Sequence, residues 1–342
     1  MTQPPELKTN RPIQLLGGVM ATTTEVWQML SASRDGDLKR VQALAEQCPA
    51  LLTCKYDYTC PLHLAVREGH LELVRYLIEQ GGIDPDYKMH PFQETLLTCA
   101  EERGYTEIAA FLRESSANPQ LVYTWKDTGK IERGRSETAQ HFQEMVDQGN
   151  HAAVEAMLQE RPELARDEDA FWGEGILAMP AKEGDRRMLE LLLRYGARVP
   201  EMSKWAKEYY FKNYDSAVFL LENGMNPNHM NWRHVTLLHD LSFKGELRKV
   251  QLLLDHGAEI NPVDEEFCST PLGFAARWGR RDVLALLIER GADVNRAGAS
   301  WATPLAWAQK KGTRRDRNGP AASGREVAQS DGGDAGAEDD AV

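Results

Sequence analysis

The sequence predicts an all-α solenoid: about eight full helix-pair units followed by a C-terminal half unit. Two observations carry this. Glycine recurs at Gly36, Gly69, Gly104, Gly149, Gly184, Gly245, Gly279 and Gly312, with Lys212 standing at the missing position; the steps are 33, 35, 45, 35, 28, 33, 34 and 33 residues. The same offsets from that marker also carry the same chemistry in every unit.

Five residues after the marker stand Val41, Val74, Ala109, Val154, Leu189, Ala217, Val250 and Leu284, and eight after it Leu44, Leu77, Leu112, Met157, Leu192, Leu220, Leu253 and Leu287. Seven before it stand Met29, Leu62, Leu97, Phe142, Leu177, Trp205, Leu238, Leu272 and Leu305. All are apolar. The later pair of offsets falls on one face of a second helix, and the earlier residue lies on a first helix packed beside it. One such pair cannot bury its own stripe, so neighbouring pairs must stack and share a core.

Cys60-Pro61-Leu62-His63-Leu64-Ala65 with Gly69-His70 resembles the first-helix signature of the ankyrin-repeat family, with Cys60 where the family usually has Thr. Thr270-Pro271-Leu272 with Ala275-Ala276 and Thr303-Pro304-Leu305 with Ala308 are closer copies; Thr236-Leu237-Leu238-His239 and Thr95-Leu96-Leu97 are partial ones. Closing segments recur as Gly257-Ala258-Glu259-Ile260-Asn261 and Gly291-Ala292-Asp293-Val294-Asn295. Each position has a mechanical reason. Proline suits the first helical turn, Thr can cap it, and the closing glycine takes a left-handed conformation. The resemblance spans roughly residues 25–312 and is weak in units one, four, five and six, where Trp27, Gln140, Gly175 and Ser203 replace Thr. It implies an ankyrin repeat domain-containing protein, read as bacterial-type and cytoplasmic, that binds partners through finger loops and the concave first-helix face.

The domain reading follows the breaks in the pattern. Residues 1–24 form an N-terminal extension expected to lack structure, with Met20 an alternative start; 25–115 hold units 1–3; 116–135 are an insertion or linker. Within the insertion, Leu121–Trp125 and Lys126–Lys130 suggest a small hairpin turning at Asp127–Gly129. Residues 136–312 hold units 4–9, the ninth incomplete, and 313–342 read as a disordered tail, being polar and Gly-Ala-rich with little to bury. That tail is either natural or the result of truncation or a frame change that replaced a last helix. Pro180 inside the first helix of unit five predicts a short or kinked helix.

A net charge of −12 argues against a nucleic-acid-binding body, though Lys310, Lys311, Arg314, Arg315 and Arg317 form a local basic cluster. Five scattered cysteines fit reduced thiols in a cytoplasm, and no apolar run is long enough for a membrane span. No P-loop, Gly-x-Ser-x-Gly, HExxH or paired CxxC occurs. The expectation is therefore a non-enzymatic scaffold with no catalytic residues and no cofactor. His229, His234, His239 and Asp240 do not have a spacing that aligns a metal site, and His239 occupies a position whose usual role in the family is a structural hydrogen bond.

The candidate partner-binding residues are the finger aromatics Trp172, Trp205, Trp232, Tyr58, Tyr87, Phe267, Trp301 and Trp125, because Trp and Tyr dominate interface hot spots. Tyr56, Phe92 and Phe171 lie in the same loops, and stacking of such rings on neighbouring fingers is the competing explanation. The acidic runs Asp167-Glu168-Asp169 and Asp264-Glu265-Glu266 suggest a partner protein with a basic face, bound by a monomer. The alternative function is binding or turnover of a small molecule or metal in the irregular groove of units 5–7, near Pro180, Trp205 and His234.

Overall fold

The repeated apolar offsets become the inner faces of stacked helices. The computed structural model describes residues 1–15, 18–122, 130–131 and 135–317, with backbone alone for 130–131 and 312–317. Units 1–3 are Thr23–Asp35 with Leu38–Gln47, Pro61–Glu68 with Leu71–Gly81, and Leu96–Arg103 with Thr106–Ala117. Units 4–6 are Glu137–Asp147 with His151–Glu160, Ala178–Glu183 with Arg186–Arg194, and Ala206–Tyr209 with Tyr214–Glu222. Units 7 and 8 are Leu237–Lys244 with Leu247–Asp255 and Pro271–Trp278 with Arg281–Glu289. The last described helix, Pro304–Arg317, follows and runs past the Gly312 at which the glycine pattern placed its end.

Local chemistry explains where these helices start and stop. Thr95, Thr236, Thr270 and Thr303 accept the backbone N–H three residues on, at 3.1–3.4 Å, and the Cys60 thiol does the same for His63 at 3.4 Å. The first helix of unit 1, 13 residues long, starts at a reciprocal cap between Thr22 and Glu25. Unit 5 avoids the proline conflict by beginning at Ala178, which puts Pro180 in the first turn of a six-residue helix. Gly69 has φ +84°, and a Cβ there would meet the Tyr105 ring at 2.8 Å.

The predicted core positions are mostly buried. Unit 4 substitutes Leu158 for its neighbour Met157, and unit 8 substitutes Val283 for Leu284. Leu305 is 65% exposed, with no further unit among the described residues to cover it.

The solenoid is broken in the middle. First helices of neighbouring units pack on one another through units 1–3 and again through units 4–9, but the first helices of units 3 and 4 are not among the packed pairs. The two stacks turn toward each other instead. The core of units 1–3 continues without interruption into Trp232, Phe243, Phe267, Phe274 and Trp307, which belong to units 7–9. A second core fills units 4–8. The molecule is thus closed face to face, and the concave first-helix face expected to bind partners is covered by the opposing stack.

The N-terminal extension differs from expectation too. Leu7, Ile13 and Leu15 are buried, and residues 1–15 form an arm across the junction of the two stacks. Its strand Pro12–Gln14 lies between Met20–Thr22 and Lys130–Ile131 in a small antiparallel sheet, a departure from the all-α reading. Apolar residues at alternating arm positions supply the reason: they have a groove to fill. The hairpin expected at Asp127–Gly129 lies outside the described residues, as does the tail beyond Arg317. No described helix is long and apolar enough to cross a membrane.

Candidate interaction surface

The first-helix faces that an open solenoid would leave free meet in a buried charge network. Glu266, on the finger before unit 8, is fully buried; its carboxylate accepts hydrogen bonds from His63 Nε2 at 2.8 Å, Arg67 Nη1 at 3.3 Å and Arg233 Nη1 at 3.4 Å. Its backbone carbonyl accepts from Arg103. Arg277 pairs with Glu102 and lies 3.5 Å from Glu94, while Arg103 approaches Glu94 at 3.6 Å. Arg233 and the Trp232 indole N–H both reach Asp57, the latter at 2.8 Å. Lys310 donates to the Glu102 and Trp301 carbonyls.

Burial sets the protonation states. Burial works to raise the Glu266 carboxyl, but His63, Arg67 and Arg233 outweigh it and hold it well below the usual range. Burial lowers His63 against the pull of Glu266, so the neutral ring donates from Nε2. Its Nδ1 has no hydrogen-bond partner among the described residues.

Glu94 goes the other way. Burial pushes it up to about 7 despite Arg103 and Arg277, with Glu102 and Glu266 adding to the rise. A folded value above the free 4.5 means the folded chain binds more protons between the two, so stability falls as pH rises from about 4.5 and levels off above about 7. Glu94→Gln is expected to flatten that decline by on the order of 2 kcal/mol between pH 5 and pH 8, read from urea midpoints.

Aromatic rings complete the seam. Phe92 lies 5.2, 4.9 and 5.6 Å, centroid to centroid, from Phe243, Phe267 and Phe274, all edge-on. The Arg277 guanidinium sits 4.3 Å from the Trp307 centroid. Among the candidate contact residues, Trp232, Tyr87 and Phe267 are buried at 1, 6 and 0% exposure, so they do not face outward. Trp232 packs edge-on to Tyr56 and Trp27, and the Tyr87 hydroxyl donates to the Tyr58 carbonyl at 2.8 Å. Trp205 and Tyr58 pack on each other and on His90. Trp301 is half-buried between Trp307 and the Arg103 guanidinium. Trp125 lies outside the described residues. Trp172 alone of the set is more than half exposed among the described residues, at 56%.

The expected groove of units 5–7 is covered by the N-terminal arm, which reaches Lys204, Trp232 and His234. His239 bonds the Thr236 backbone through Nδ1 and the Ser269 carbonyl through Nε2, joining one unit to the next. The profile described as "Ankyrin repeats (3 copies)" matches residues 29–123 and 202–298, together more than half of the chain. The chain belongs to the ankyrin-repeat family.

Relatives of this ankyrin chain are diverse. Human transient receptor potential cation channel subfamily A member 1 is 25% identical over 60% of this chain and 18% of its own length. A probable rice E3 ubiquitin-protein ligase, XBOS32, is 30% identical over 31% of this chain and 21% of its own. Human cyclin-dependent kinase 4 inhibitor B is 36% identical over 28% of this chain and 68% of its own. The chain spans about a fifth of the first two. None of these relatives supports the bacterial-type assignment. Ankyrin repeats generally mediate protein–protein interaction.

Sequence reasoning passed over the charges that matter most. Asp264-Glu265-Glu266 reads as a solvated acidic edge seeking a basic partner, yet Glu266 meets the chain's own Arg67, Arg103 and Arg233. Glu265 pairs with the Met1 amine and His234, and Asp264 accepts backbone N–H groups of its own finger. Asp167 and Asp169 likewise pair internally, with Arg135 and Arg11. The available signal was arginine in the last turn of the first helices of units 2, 3 and 8.

Proposed function

We propose that this ankyrin chain is a protein-binding adaptor and not an enzyme, working as a monomer in a reducing cytoplasm, and that its contact surface is the outward finger edge centred on Trp172. The exposure of that indole carries the reading. Phe171 and Trp172 both have positive φ, 49° and 60°, a conformation that costs a non-glycine residue about 1–3 kcal/mol. Phe171 is buried and its N–H donates to Gln143 at 3.1 Å, so the inward ring fixes the outward one.

Glu168 is exposed nearby, and a cleft of about 370 Å³ beside it is lined by Arg166, Ile176 and Arg198 among others. A partner with an apolar pocket for the indole and a basic group for Glu168 fits this edge. The concave face has no part in the proposal, because the opposing stack fills it.

Trp172→Ala is expected to weaken partner capture from a lysate by about thirtyfold, a loss of about 2 kcal/mol, and to leave thermal unfolding within about 0.5 kcal/mol of the parent. Equal capture by both forms removes Trp172 from the surface.

A further inference from the structure

The arm is held by the repeats as a bound peptide would be. Pro4, Glu6, Leu7, Ile13 and Leu15 point inward and are buried, while Pro5, Lys8, Thr9, Asn10, Pro12 and Gln14 are exposed. Leu7 is fully buried. The Glu6 carboxylate accepts from the Tyr56 hydroxyl at 2.6 Å and pairs with Lys204 Nζ at 3.0 Å. Tyr56 comes from the finger before unit 2 and Lys204 from the loop before unit 6, so both stacks close on one carboxylate.

Backbone bonds extend the grip on either side. Thr2 N–H donates to the Trp232 carbonyl at 3.0 Å, Thr23 N–H to the Arg11 carbonyl at 2.9 Å, and the Thr23 hydroxyl to the Thr9 carbonyl at 2.6 Å. The Arg11 guanidinium meets Asp169 at 3.0 Å.

The arm has little structure of its own. Its helix, Pro5–Lys8, is a single turn, too short to persist alone in water. Its order therefore comes from the groove. The groove reads three things: a carboxylate between a phenol and an ammonium, an adjoining leucine in a dry pocket, and an extended backbone that follows.

We infer that this groove is a peptide-binding site for a segment carrying an acidic residue followed by leucine, filled in cis by the chain's own arm until a partner's segment of the same chemistry displaces it. The inference rests on the reading of these repeats as protein-binding, and it places a second contact surface away from Trp172. A tethered arm competes at an effective concentration of about millimolar, so the groove takes only partners that outbid that internal ligand.

The test is a titration of a synthetic peptide of residues 2–15, fluorescein-labelled at its C-terminus, against the full chain and against full-length Glu6→Ala/Leu7→Ala. The double variant is expected to bind the peptide about tenfold or more tightly than the parent, and a peptide carrying Glu6→Ala is expected to lose that binding. Full-length Glu6→Gln, which leaves Leu7 in place, should move the same way by a smaller factor and covers the case in which the double variant melts early. If the variants that melt like the parent bind the peptide no better than it does, the arm is a fixed part of the fold and the inference is wrong. Exchange of the peptide without any captured protein would remove the adaptor reading and leave the groove; the reverse result would remove the groove alone.

Discussion

Replacing Glu266 by alanine is expected to destabilise the chain by about 3–5 kcal/mol, because breaking a buried ion network from one side leaves its other charges unpaired. The carboxylate has no exposure, and it gathers His63 and Arg67 from unit 2 with Arg233 from the finger before unit 7. Arg67 keeps Glu68 and Arg233 keeps Asp57, so the loss stops short of stranding every cation. Glu266→Gln retains the shape and some hydrogen bonds and should cost less. Acid should mimic the alanine change: a carboxyl held below 4.5 contributes its full stabilisation above that value and loses it as pH falls through its folded value. His63 adds to this, since a buried ring with a lowered value resists the charge it would take up below about 6.5. Urea midpoints of Glu266→Ala against the parent at pH 7, and of both down to about pH 3, measure the two effects as a difference. The difference is needed because Glu94 shifts both midpoints the opposite way between about pH 7 and pH 4.5.

Trp232→Ala should cost a comparable amount, about 3–5 kcal/mol. The indole is 1% exposed, its N–H satisfies the buried Asp57 carboxylate, and its ring lies 5.4 Å from Tyr56 and 6.4 Å from Trp27. Removing it opens a cavity where the fingers before units 2 and 7 meet unit 1, and it leaves Asp57 with Arg233 at 3.6 Å as its remaining partner among those described. Trp172→Ala provides the contrast, with almost no cost in stability. The same urea titration compares the two; similar losses from both would show that the two rings have been assigned to the wrong sides of the fold.

Those two tryptophans show where sequence stops being informative. Both sit in finger loops, Trp172 beside Phe171 and Trp232 between Asn231 and Arg233, and nothing beside them in the chain separates inward from outward. The repeat itself was legible because each unit's core is local: Val74 and Leu77 need only Leu62 and the next unit, all within about one period. The caps were legible for the same reason, down to Cys60 serving where Thr is usual. Closure was not, because it joins Arg67 to Glu266 and Glu102 to Arg277 across most of the chain, and each partner alone resembles an ordinary charged helix end or a solvated acidic loop. The arm was missed because its burial alternates only over residues 12–15, and its groove exists only after both stacks have met.

Face-to-face closure of the two stacks is the claim on which the rest depends, and a double-mutant cycle on Phe92 and Phe274 tests it most directly. The rings are 5.6 Å apart yet belong to the finger before unit 3 and the first helix of unit 8. With Phe92→Leu, Phe274→Leu and the pair measured in urea, closure predicts a coupling of about 0.5–1.5 kcal/mol. An open solenoid, in which units touch only their neighbours, predicts losses that add to within about 0.5 kcal/mol, and that result would contradict the account.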